Sequence, residues 1–436
     1  MRLNIPLSST SLESDFSSWV DLTDLDLEVP SELGQLIPFC VEGPLLQHIA
    51  SASRKRNNKL RLKLYDLDVR ELNFPGNLSR AIGNLHVICS WLLSSKVTDK
   101  NGVEIPKNLS VDFVKYLDAM DSFEFLETHQ SAHFRVNLVC VQGAIREYIR
   151  PLYERSDVGA RLRPYQELRI LTQDILAQLA PKWTGRELRE MASGLAQLLK
   201  ELVENADNWA TSDEFGQRYE KGKSFRVVSF RLIDLANAQV SDFGGNNSHL
   251  QSYLQKVLAS RPNLAVGASR PPDRPVQSIN FIEMTVVDTG PGIVRRWLSS
   301  RAVNRAAELD INTIDLASEE DAIAQCFVKW RTASNQKTRG VGLFSVAQML
   351  KEKNGFLRLR TGRLDYLYGT ESAQNDVFSK VKIDLKKNKQ DYVKLSDGTH
   401  VFSDNSNIDF FLRPWAVPHQ ARVEGTSFSI LLPVES

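Results

Sequence analysis

Between Thr184 and Trp209 apolar residues recur every three or four positions without interruption, the period of an amphipathic helix. Thr184 followed by Glu187 makes a capping box and marks its start. On a wheel of roughly 100° per residue, Leu188, Met191, Leu195, Leu199, Leu202 and Ala206 form one buried stripe. Lys200, Glu204 and Asp207 fall opposite, toward water. Glu201, Asn205 and Asn208 line a third face, beside the core yet apart from the solvated one. That face is either the polar shoulder of the helix or a stripe turned toward a ligand, and the helix pattern does not separate the two.

The 436 residues have room for two or three domains. Apolar residues make up 42% and charged residues 25%, the balance of a soluble globular protein. A net charge of +1 indicates neither nucleic acid nor a membrane surface as a partner. The basic run "RKRNNKLRLK" at 54–63 is the exception, and its partial alternation reads as a solvated strand edge. Cys40, Cys89, Cys140 and Cys326 are far apart, which argues against a disulfide framework or zinc and for a reducing cytoplasm. His129 and His133 share an i, i+4 spacing but have no evident third ligand, so they read as ordinary polar residues. The N-terminus lacks the apolar core of a signal peptide, and no apolar run is long enough to span a bilayer.

The fold class expected is α/β. Strand-like alternation in 19–29 and 59–67, with helical patterns between them and over 111–127, makes residues 1–127 a small α/β domain. Its pattern, rather than any motif, weakly resembles the STAS-type regulatory and protein-binding domains. Residues 128–180 read as a helical, arginine-rich connector that Pro151 kinks or ends. From 181 to 436 helical and strand-like segments alternate around two glycine-rich turns, and 267–278 reads as a Pro-rich surface loop.

Three later motifs follow the long helix. In "FIEMTVVDTGPGI" an apolar strand ends at Asp288 and turns through Gly290 and Gly292. A carboxylate buried there needs a donor or a charge partner, and the amino group of an adenine is one such donor; a plain Asp-Gly turn is the alternative. In "KTRGVGLFSVAQML" Gly340 and Gly342 precede an amphipathic helix whose N-terminal amides attract phosphate, with Lys337 and Arg339 close by. In "EGTSFSILLP" Gly425 and Thr426 open a last apolar strand. The order of E-x-x-x-N, D-x-G-x-G, G-x-G-L and G-T-x-F-x-I-x-L-P resembles the Bergerat ATP-binding fold. Its superfamily, GHKL, takes its name from gyrase, the heat-shock chaperone, histidine kinases and the mismatch-repair ATPase. The likeness covers about residues 181–436.

The resemblance implies a sandwich with a mixed sheet and helices on one face, binding ATP and Mg²⁺. Asn205 would ligate the Mg²⁺, Asp288 would read the adenine amino group, Gly290 and Gly292 would line the base pocket and Thr426 would support Asp288. Lys337, Thr338, Arg339, Gly340, Val341, Gly342 and Leu343 would wrap the phosphates at the end of a lid over about 294–339. Glu201 stands where hydrolysing members carry their general base. Asn208 replaces an Asp common in the family, beside the adenine pocket. The lysine that a following domain delivers to the γ-phosphate in several members would come here from the lid, with Lys329, Arg331 and Lys337 as candidates, from a partner chain, or from nowhere, the lid charges then being simply exposed. The stretch 364–423 is a long insertion. Three activities are compatible with the resemblance. The first is an ATPase switch that signals to a protein partner through the N-terminal domain or the lid. The others are a protein kinase of the anti-sigma or histidine-kinase type and an ATP-gated adaptor without turnover. A cytoplasmic protein and a possible homodimer complete the expectation.

Overall fold

The structure is a computed structural model that describes residues 2–3, 7–19, 26–34, 37–55, 60–105, 111–122, 135–143, 147–157, 159–181, 183, 185–219, 224–260, 278–301, 314–328, 342–369, 381, 390–403, 409–415 and 420–434. Three short strands, β1 (Asp26–Val29), β2 (Leu60–Leu64) and β3 (Ser94–Thr98), pair in parallel in that order. Parallel neighbours need crossovers, and the helices Glu42–Lys55, Phe74–Ile82 and Leu85–Leu93 lie between them in sequence. The later strands are β4 (Arg135–Val141), β5 (Tyr153–Ser156), β6 (Gly159–Leu162), β7 (Phe225–Ala236) and β8 (Ser278–Asp288). They continue with β9 (Phe356–Gly362), β10 (Leu364–Gly369), β11 (Tyr392–Lys394), β12 (His400–Ser403), β13 (Asp409–Pro414) and β14 (Val423–Pro433). β5 and β6 form a hairpin of their own. The other nine make one sheet in the order β11-β12-β13-β10-β9-β14-β8-β7-β4. The chain is therefore α/β, as its patterning predicts.

Several details depart from the sequence expectation. The large sheet is antiparallel at every pairing rather than mixed. Among the described residues of the 128–180 connector, Tyr165–Leu179 is helical, and Arg135–Val141 is the edge strand β4, paired with β7. Burial of nearly every side chain of β4 erased the alternation that marks a strand. Residues 364–423 supply β10 to β13 and so lengthen the sheet at one end. Of the basic run 54–63, Arg54 and Lys55 end the helix Glu42–Lys55, and residues 60–63 belong to β2, which lies between β1 and β3 rather than at a sheet edge. His129, His133 and the 267–277 loop fall outside the described residues. Among the described residues no helix is long and apolar enough to cross a membrane, and Cys40, Cys89, Cys140 and Cys326 are free thiols.

Helices cover both faces of the large sheet, not one. The register sets Asp288 opposite Thr426 on β14 and opposite Arg226 on β7. On that face Arg226 pairs with Asp207 of the long helix Gly185–Trp209. Residues one step along each strand point the other way, and there the helix Glu42–Lys55 lies against Ser427 and Thr285. A methyl group on Gly43 would sit 2.0 Å from Ser427 Oγ, so glycine permits the close approach. Layers of helix, sheet and helix thus enclose a main hydrophobic cluster that includes residues from Leu3 to Val434, and a second, smaller one forms around Phe39, Phe281 and Phe356.

The second face is polar although it is buried. Arg358 and Arg360 of β9 are completely covered and meet Glu13 of the helix Ser9–Trp19 at 3.2 Å each. Arg358 also binds Asp365 at 2.5 Å, and Arg231 binds Glu283 at 2.5 Å. Burial disfavours a charge on Glu13, yet Arg360, His48 and Arg358 hold its carboxyl well below the usual carboxylate range. Gln47 adds bonds to the Arg360 carbonyl at 3.1 Å and the Glu424 carbonyl at 3.2 Å. A charged layer of this kind adds little stability against an apolar one but fixes how the two parts seat.

Candidate functional site

Two clusters lie on the face covered by the long helix. The helix spans Gly185–Trp209 and buries Met191, Leu195, Leu199, Leu202 and Ala206, with Leu188 packed at the core edge, as the wheel predicts. Thr184 lies outside the described residues. Lys200 and Glu204 approach within 3.8 Å on the partly exposed side. Asp207, expected in water, instead pairs with Arg226 and accepts the Tyr153 hydroxyl at 2.5 Å. Its partners come from β7 and β5, which a helical wheel does not display.

The third stripe divides. Glu201 and Asn205 are half-buried and face the start of the helix Gly342–Glu352. A methyl group on Gly342 would lie 2.8 Å from Glu201 Oε2 and 3.8 Å from Asn205 Nδ2. The carboxylate, the amide and the first turn of a helix are therefore neighbours, with a glycine where a side chain would press on the glutamate. Asn208 is exposed, and its Nδ2 donates to the Glu204 carbonyl at 2.5 Å, so it does not join the other two. Leu343 is buried in the core. Lys329, Arg331, Lys337, Thr338, Arg339, Gly340 and Val341 lie outside the described residues.

The second cluster closes the end of β8. Asp288 is buried, and its Oδ1 accepts the Gly290 N–H at 2.8 Å. Burial pushes its carboxyl up to about 7, against the Gly290 bond and the charge of Arg54. Thr426 Oγ1 accepts the Ile293 N–H at 3.2 Å and lies 3.4 Å from Thr361 Oγ1. Thr426 thus supports the turn that Asp288 opens. Gly292 and Gly425 need their positive φ of 82° and 72°. A methyl group on Gly292 would strike Thr361 Oγ1 at 2.7 Å, and one on Gly425 would strike the Asp288 carbonyl at 1.8 Å. These two glycines serve the packing of the turn against β14. Gly425→Ala will therefore push the end of β8 away from β14 locally and cost about 2 kcal/mol of stability from left-handed strain plus the clash. A lowered urea midpoint with an unchanged slope checks it.

Among the described residues no group of three or more His, Cys, Asp and Glu is placed to hold a metal. A Mg²⁺ that arrives with a polyphosphate and keeps most of its waters asks for only one or two protein oxygens, and the Asn205 side-chain amide fits as one of them. The chain matches no family model, no curated protein and no solved structure.

Proposed function

We propose that the chain binds Mg²⁺–ATP on the long-helix face of the nine-stranded sheet and hydrolyses it. The observation that carries this reading is the meeting of Glu201 and Asn205 with Gly342 at the start of a helix. A helix N-terminus offers free amides to phosphate oxygens. An adjacent amide oxygen suits a hydrated Mg²⁺, and an adjacent carboxylate suits the activation of water. The magnesium, when bound, neutralises phosphate charge. Asp288 accepts the adenine amino group in this reading, because burial leaves its ionised form under-compensated and one more donor favours that form. Glu201 orients the attacking water and takes its proton.

The order of the four motifs, and their resemblance to GHKL proteins, add support. In this reading the N-terminal unit and the lid carry the nucleotide state to a protein partner in the cytoplasm. Calorimetry with ATP and Mg²⁺, followed by phosphate-release kinetics, tests it. Saturable heat with steady release is expected. Heat without release moves the protein to the adaptor class, and absence of heat for every adenine nucleotide ends the reading.

A further inference from the structure

The sheet end that carries Gly290 also gathers four arginines and two glutamates from separate elements. Arg54 lies at the end of the helix Glu42–Lys55, and Arg295 sits in the first turn of the helix Ile293–Arg301. Arg363 stands between β9 and β10, and Arg422 immediately precedes β14. Glu424 is bridged by Arg54 at 2.6 Å and Arg295 at 3.6 Å. Glu319 of the helix Leu316–Cys326 is bridged by Arg422 at 2.7 Å and Arg363 at 3.2 Å. Asp315 lies within the field of Arg363 and Asp288 within that of Arg54, so the donors left unpaired, rather than a count of charges, point to a further anion.

Arg54 Nη2, Arg295 Nε and Arg422 Nη1 are buried and have no hydrogen-bond partner among the described residues. Native proteins leave few buried donors unpaired, and an unpaired charged donor is the costliest kind. Here three occur in one cluster, each from a different element. Burial lowers the pKa of Arg422, with Arg295 and Arg363 lowering it further against the opposing pull of Glu319 and Glu424. The cluster is also held from beneath. Arg54 lies 3.9 Å over the Tyr219 ring and donates to the Gly290 carbonyl at 3.3 Å. The side chains of Arg363 and Arg422 are 28% and 21% exposed and form the open rim.

We propose that this cluster binds a dianionic phosphate group, either as inorganic phosphate or as a phosphorylated side chain. Arginines gathered from several elements around two shared carboxylates can supply several donors to the tetrahedral oxygens of a phosphate, the usual partner of guanidinium. None of these residues is assigned to the nucleotide, so the site stands or falls by itself. Its consequence is mechanical. A bound phosphate ties the N-terminal helix, through Arg54, to the helix after the glycine turn, through Arg295.

The test titrates inorganic phosphate, and separately O-phosphoserine, into the full chain by calorimetry at fixed chloride. Wild type is expected to give saturable heat with at least one ligand and a melting temperature that rises with its concentration. Arg422→Gln and Arg295→Gln are each expected to weaken that binding about tenfold or more. Arg61→Gln, which removes an exposed arginine paired with Asp26, leaves it unchanged. The melting temperature of each variant without phosphate reports folding. Heat with phosphoserine alone assigns the site to a modified protein side chain, and heat with inorganic phosphate assigns it to the free ion. No saturable heat with either ligand in wild type overturns the proposal. So does an affinity unchanged in folded Arg422→Gln, which places the binding elsewhere.

Discussion

Glu201→Ala will bind Mg²⁺–ATP with wild-type affinity and release phosphate ~10²–10⁴-fold more slowly, the usual contribution of a positioned general base. Its assigned role is to activate water and not to hold the base or the metal, so binding survives its removal. Its place against Gly342 gives a sharper comparison. Glu201→Gln keeps the volume beside the helix start and lacks only the ability to take a proton. Loss of turnover in both variants, with heats of binding preserved, assigns the base. Unchanged turnover in Glu201→Gln removes that role, whatever the alanine variant does. A parallel loss of turnover and affinity would instead make Glu201 a packing residue for the helix Gly342–Glu352.

The sequence displays the elements that are amphipathic in isolation. The helix Gly185–Trp209 announces itself by period, and the apolar strands β8 and β14 by the glycine turns at their ends. What it does not display depends on residues far along the chain. "FLRLRTG" alternates like a strand with one wet face, yet Arg358 and Arg360 are fully buried. Their alternation records two faces of different chemistry, and the helices Ser9–Trp19 and Glu42–Lys55 cover the charged one. The misreading of Arg54 has the same cause. In a basic run it looks solvated, but its partner Glu424 is brought to it only when the N-terminal helix seats on β14. β4 fails differently, since a strand buried on both sides presents a continuous apolar run that period alone cannot tell from a helix. In the site, the helix and turn motifs were legible as pieces. The approach of Gly342 to Glu201 and the isolation of Asn208 were not, because both depend on where the helix starts relative to its neighbour.

Asp288→Asn will weaken ATP binding on the order of 100-fold, the loss expected when a charged acceptor is replaced by an amide at a buried contact. Folding and recognition pull this residue in opposite directions, and that separates the two. Its carboxyl is raised to about 7 in the folded chain, above its ordinary 3.8. A carboxyl raised in this way imposes no penalty below its unfolded value. The penalty grows as pH climbs toward the folded value and is complete above it. At pH 8 the asparagine variant will therefore be at least as stable as wild type, an advantage of a few kcal/mol at most that vanishes near pH 4. An adenine amino group donates to the ionised form, so ATP affinity in wild type will fall about tenfold per unit as pH drops below about 7. A purine triphosphate without the 6-amino group titrates identically at its phosphates and isolates this effect. The ratio of the two affinities will depend on pH in wild type and be flat in Asp288→Asn. A ratio that stays constant in wild type from pH 6 to pH 8 would remove Asp288 from base recognition and leave it as the residue that closes the Gly290 turn.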